Sequence, residues 1–241
     1  MTFAQPSIFA SDEWCTVPYL QQGKGLLDKL GDILLQFPRI YAARNSMLAQ
    51  QAQDRVLDQL RYNVEAQAQD LIARLQTCWQ QCGNAIYPGY DYGSFVESTN
   101  FEIESSDWIV EATVPITYRD PFVATSVAMY DAATVLANAL IWESGAGFTE
   151  LYKQRIVIHC ASILQAVVYH ESRGPNSGGS IQMVFPLKVV CRVTPSDDQR
   201  RQAQIALRRW GERRGVDGIC NPLVIPEREG VYNDFRGMQA V

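Results

Sequence analysis

Apolar positions in this chain recur mostly at helical spacing, and they divide it into a series of amphipathic or wholly apolar segments. Leu26, Leu27, Leu30, Ile33, Leu34 and Phe37 predict a first helix within Gly23 to Arg44, bent or ended by Pro38. A longer helix is predicted from Ser46, as its N-cap, to about Gln81. Its buried stripe is Leu48, Val56, Leu57, Leu60, Val64, Leu71, Ile72, Leu75 and Trp79, with Gln, Asp and Arg on the other face. Gly83-Asn84 is the expected stop. Ala124 to Glu143 is apolar almost all round, which places it at the centre of the fold. Glu150 to Glu171 and Ser180 to Val193 are two further apolar helices, separated by the Gly-rich break Gly174–Gly179. Thr194 as N-cap and Pro195 at the first helical position predict a last helix reaching about Arg214, with Gly215 as its C-cap.

The helical rhythm fails between Ile86 and Phe122, where Tyr87, Tyr90, Tyr92, Phe95, Phe101, Trp108, Tyr118 and Phe122 crowd together. So many aromatics argue against disorder, and the segment reads as an ordered aromatic flap over the helices, with a small hairpin within Phe101–Val114 as an option. The expected fold class is therefore all-α, a helical bundle with one long aromatic flap. The expected organisation is an irregular N-terminal arm over 1–22, a single helical domain over 23–218 with the flap at 86–122, and an irregular tail over 219–241.

Composition changes this picture only at its edges. Apolar residues make up 47% and charged residues 20%, the balance of an ordinary globule, and 241 residues suffice for a full core. A net charge of −5 gives no basic footprint, so direct nucleic-acid binding is not expected. Six scattered cysteines in mostly apolar runs suggest reduced thiols, and the N-terminus reads as no signal peptide. No uninterrupted apolar run approaches the ~20 residues of a bilayer span. Together these readings point to a cytoplasmic or nuclear protein without a membrane span.

Three stretches carry a resemblance. Gln165–Ser172 (QAVVYHES), the glycine break, Met183–Val193 (MVFPLKVVCRV) and Ala206–Ile219 (ALRRWGERRGVDGI) resemble the C-terminal part of fungal-specific transcription-factor domains. These are the helical regulatory regions that follow a Zn2Cys6 DNA-binding cluster. Gly25–Asp28 with Pro38 looks like the start of that domain, and the resemblance is thinnest between 85 and 123. The family's cluster needs six cysteines in two close groups, because its two zinc ions share thiolates. Here Cys78 and Cys82 are the only close pair, so the resemblance implies the helical regulatory domain without the family's mode of DNA binding.

Candidate chemistry is confined to narrow polar stripes. His159 and His170 stand eleven positions apart and share a helix face to within about 20°. Tyr152 falls on that face with Arg155 beside it, bordering an apolar stripe of Ile156, Cys160, Ile163 and Val167. An axial separation of about 16 Å prevents the two histidines from sharing a metal. Asp131, Thr134, Asn138 and Trp142 make a second polar stripe on the otherwise apolar central helix, and buried polar groups require partners. Both stripes can be read as packing contacts or as the lining of a pocket. Cys78 and Cys82, one helical turn apart, lack two further ligands, so no metal is expected. Arg200, Arg201, Arg208, Arg209, Arg213 and Arg214 are read as a solvated face opposite Leu207 and Trp210. No phosphate loop, nucleophile elbow or HExxH is present, and no cofactor is expected.

Two functions fit these residues. The first is a small-molecule-binding helical protein, acting as a cofactor-free cyclase or isomerase of the pericyclase kind on an apolar metabolite of fungal secondary metabolism. There a folded substrate is held close and polarised by a few donors. His159, His170 and Asp131 would be catalytic, Tyr152, Arg155, Asn138 and Thr134 polar contacts, and Tyr130, Trp142, Trp108 and Met183 apolar walls. The second is a non-enzymatic transcriptional co-regulator or dimerisation module without a DNA-binding domain. Either reading leaves a homodimer open.

Overall fold

The computed structural model describes residues 8–49, 54–83, 118–144, 149–173, 181–214 and 220, and within them the chain is helical with no strand. Trp108, the hairpin option, the flap as far as residue 117 and the Gly174–Gly179 break lie outside the described residues. So does the tail, apart from the buried Cys220. In the N-terminal arm, Ile8–Ala10, Asp12–Thr16 and Val17–Tyr19 form short helical turns, where an irregular segment was expected.

Helix α1 (Leu26–Leu34) begins after Gly25, whose N–H donates to the Asp28 carboxylate at 3.0 Å. Leu26, Leu30 and Ile33 form its buried stripe. The chain then turns at Leu35–Gln36 and restarts as α2 (Phe37–Ala49). Pro38 therefore sits in a first helical turn, where its missing N–H costs nothing, and it opens this helix instead of closing the one before. Ser46, expected to cap the next helix, lies inside α2. The long helix α3 (Asp54–Cys78) follows and buries Val64, Ala68, Leu71, Leu75 and Cys78, an alternation of four and three residues. Leu57 and Leu60 are only half-buried. A π turn, Trp79–Gly83, continues it and buries Trp79.

The central element is α4 (Pro121–Ser144), as its composition predicts. Asp120 caps it by accepting the Val123 N–H at 2.9 Å, and Pro121 opens its first turn. That backbone hydrogen bond is the main reason the Asp120 carboxyl is held below the usual carboxylate range. Small side chains (Ala124, Ala128, Ala132, Ala133, Ala137 and Ala139) are fully buried and let neighbouring helices approach closely. By length and composition α4 could cross a membrane, although polar residues interrupt its apolar sequence. Some 89% of its apolar window is buried inside the bundle, as in the core helix of a globule.

Around α4 pack α1, α2, α3, α5 (Thr149–Ser172) and α6 (Val184–Val193). A buried ion pair, Arg44 to Glu143 at 2.9 Å, ties α2 to the end of α4. The last helix, α7 (Asp197–Arg214), lies against α5 and α6. It starts later than expected, because Ser196 and not Thr194 accepts the first free helical N–H, from Gln199 at 3.4 Å. Thr194 instead accepts the Ser196 N–H and donates to the Gln199 side chain at 2.6 Å, while Gln199 Nε2 donates to the Val157 carbonyl of α5 at 2.9 Å. Leu207 and Trp210 are buried, while Arg201, Arg208, Arg209 and Arg213 are exposed, as the amphipathic pattern predicts.

Glu171, at the end of α5, joins that helix to α7. It accepts from Arg209 at 2.8 Å on each oxygen and from Trp210 Nε1 at 3.2 Å. Glu171→Ala is expected to cost about 1–2 kcal/mol in urea unfolding, and Arg209→Ala less, because only the glutamate variant also loses the Trp210 bond. Equal costs for the two would show that Trp210 contributes nothing to this junction.

Candidate functional site

The two polar stripes meet between α4 and α5. These helices run antiparallel: Asp131 on α4 faces His159 on α5, and Thr125, earlier on α4, faces His170, later on α5. Asp131 Oδ1 lies 2.8 Å from His159 Nδ1, with side-chain exposures of 0% and 1%. Burial dominates the electrostatics of both groups. It pushes the Asp131 carboxyl up to about 8, against a smaller lowering by a hydrogen bond from Ser162. It pushes the His159 imidazole down to about 3. Both shifts favour the neutral forms, because an apolar setting penalises charge. Near neutral pH the pair therefore holds one proton. The contact is a hydrogen bond between Asp131 Oδ1 and His159 Nδ1, whose direction follows the imidazole tautomer.

Thr134 and Asn138 continue the stripe along α4, but they bond within their own helix. Thr134 donates to the Tyr130 carbonyl at 3.0 Å and Asn138 Nδ2 to the Thr134 carbonyl at 2.8 Å. Asn138 Oδ1 is left buried with no donor among the described residues. A buried amide oxygen in this position calls for a donor from elsewhere, a water or a ligand.

The remaining candidates are dispersed. His170 Nε2 stands 3.2 Å from the Thr125 hydroxyl, one hydrogen-bonded unit at the far end of the interface. Tyr130 is buried against Trp79, with ring centroids 4.7 Å apart, so it faces α3 and not the Asp131–His159 pair. Burial raises its phenol well above the usual range. Arg155 stacks over the ring of Tyr152, 5.7 Å from its centroid, and both are half-buried. Trp142 packs partly buried on the core, and Met183 is fully buried at the start of α6.

Thr125 and Ser162 take part in these contacts without having been singled out from the sequence. Ser162 sits one helical turn after His159 and so shares its face, which is a usable signal. Thr125 offers none, since its partner is 45 residues away. Among the described residues, no group of three or more His, Cys, Asp or Glu side chains could hold a metal ion.

Comparison with known proteins gives no matching family model, no matching curated protein and no matching solved structure.

Proposed function

We propose that this chain is a small-molecule-binding helical protein that recognises an apolar metabolite along the α4–α5 seam, and that it acts there as a cofactor-free isomerase or cyclase. The observation that carries this reading is the Asn138 amide oxygen, buried without a donor among the described residues, seven residues along the same helix from the Asp131–His159 pair. A ligand hydroxyl or N–H would satisfy that oxygen and place an apolar skeleton beside the pair. One proton, shared between a carboxyl and an imidazole whose charged forms are both disfavoured, suits polarising a carbonyl or relaying a proton without a metal.

A second reading has its own support. Asp131, His159 and His170 are 0–2% exposed and each is hydrogen-bonded across the seam, which is how polar groups that set helix register are placed. On that reading the chain is a non-enzymatic regulatory or dimerisation module of the kind the fungal transcription-factor resemblance implies.

Turnover and binding of polyene and terpenoid-like intermediates by purified protein separate the two readings. The variants are Asp131→Ala, His159→Ala, His170→Ala and Asn138→Leu. Ligand binding is expected to weaken by about 10-fold in Asn138→Leu, since one hydrogen bond is lost. Turnover is expected to vanish in the Asp131 and His159 variants. Unchanged affinity and rate in all four folded variants would remove the site and leave the regulatory reading.

A further inference from the structure

Helix α3 ends in a cluster the proposed function does not use. Cys78 closes the α-helical part of α3 and Cys82 lies in the π turn, four residues later. Lys29, on α1, donates from Nζ to Cys82 Sγ at 3.2 Å. We propose that Cys82 is a hydroperoxide-reactive thiol, activated by Lys29, whose oxidised form is captured by Cys78 in a reversible disulfide.

The six thiols differ in the two properties that set reactivity, access and a neighbouring cation. Cys78, Cys160, Cys191 and Cys220 are buried, and only Cys15 and Cys82 are partly exposed. Cys15 has an acidic neighbour: burial and then a hydrogen bond with Asp32 raise its pKa, opposing its reactive form. Cys82 has the ammonium of Lys29, and the hydrogen bond to Cys82 is the largest cause of the raised Lys29 pKa, so that side chain stays a cation. Burial, with smaller contributions from Cys82 and Asp32, raises the Cys78 thiol, against a lowering by Lys29. Cys78 is thereby kept protonated and unreactive toward the oxidant itself.

In the first step the Cys82 thiolate attacks the terminal oxygen of the hydroperoxide. An S–O bond forms, the O–O bond breaks, and the departing alkoxide or hydroxide leaves as alcohol or water after taking a proton. In the second step the Cys78 sulfur attacks the Cys82 sulfenic acid, giving its proton to the leaving hydroxide. An S–S bond forms, the S–O bond breaks and water leaves. Two thiols lose two electrons and two protons, and the peroxide takes up both. Residues four apart on a regular helix have Cβ atoms about 5–6 Å apart, and a disulfide needs about 3.5–4.5 Å. The bond must therefore tighten this turn, and a π turn is a place where a helix already departs from its regular ladder.

The test treats the folded chain with hydrogen peroxide, blocks remaining thiols with N-ethylmaleimide and maps tryptic peptides. Cys78 and Cys82 fall in one peptide, Leu75–Arg119. In wild type that peptide is expected to lose two hydrogens and escape labelling before Cys15 reacts, and a dithiol should restore it. Lys29→Gln should slow the reaction by about 10-fold, whereas Lys29→Arg, which keeps the cation, should not. Cys78→Ser should stop at a sulfenic acid that dimedone traps. Any of three results overturns the proposal: Cys15 oxidising first, equal rates in wild type and folded Lys29→Gln, or a product that a dithiol cannot reduce. Should Lys29→Gln fail to fold, the order of Cys82 and Cys15 oxidation in wild type and Lys29→Arg decides alone.

Discussion

Stability of the folded chain is expected to fall by about 1 kcal/mol between pH 6.5 and pH 8, and Asp131→Asn is expected to abolish that fall. The sign follows from proton counting. Asp131 is raised from 3.8 to about 8 in the folded chain, so its contribution is complete below pH 3.8 and is lost as pH rises toward 8. His159 is lowered from 6.5 to about 3, so its contribution is complete above pH 6.5 and is lost as pH falls toward 3. Between about pH 4 and 6.5 the two slopes cancel, since the folded pair and the unfolded chain each hold one proton. Above 6.5 the unfolded histidine is neutral and only the Asp131 slope remains. Denaturant unfolding across pH 4–9 measures it.

The pH profile counts protons without saying which partner carries the shared one, and substitution locates it. Asparagine mimics a protonated carboxyl and can donate to Nδ1, so Asp131→Asn should cost less than about 1 kcal/mol at pH 6. His159→Ala should cost about 3 kcal/mol, from a lost buried hydrogen bond and a new cavity. A cost above about 3 kcal/mol for Asp131→Asn would instead mark a buried ion pair broken from one side.

The partnership behind that prediction was half legible in the sequence. Asp131 stands out as an acid on a helix apolar all round, and His159 as a polar residue bordering an apolar stripe. Their pairing depends on the rotational phase of two antiparallel helices, which residue spacing within either helix does not set. The same limit separated Tyr130 from its neighbour Asp131: adjacent residues on a helix point about 100° apart, so one faces α3 and the other α5. Element existence and core faces were readable from periodicity, most clearly for α4, whose expected and observed spans differ by only a few residues. Boundaries failed where two hydroxyl residues competed for one role. Thr194 and Ser196 can each cap a helix, and the later one does so because Thr194 is engaged with the Gln199 side chain. Ser46 failed for a different reason, since α2 runs through it without interruption.

Gly83→Ala is expected to destabilise the fold by about 3 kcal/mol, although alanine is the better helix former. The reason is contact with an aromatic ring. A β-carbon at position 83 would overlap Cδ2 of Trp79 and lie only 2.6 Å from Cε2 and 2.8 Å from Cε3 of the same ring. Trp79 cannot swing aside cheaply. It is 4% exposed and packs on Tyr130, which is itself buried. Relief would require moving both packed rings, or unwinding the π turn that holds Gly83 against the indole. Trp79→Leu in the same chain supplies the control. A shorter side chain leaves room for the methyl, so Gly83→Ala should cost much less in the Trp79→Leu background than in wild type. This coupling is the signature of a direct clash. Additive costs in the double-mutant cycle would show that the penalty comes from the backbone of the turn and not from the indole it holds.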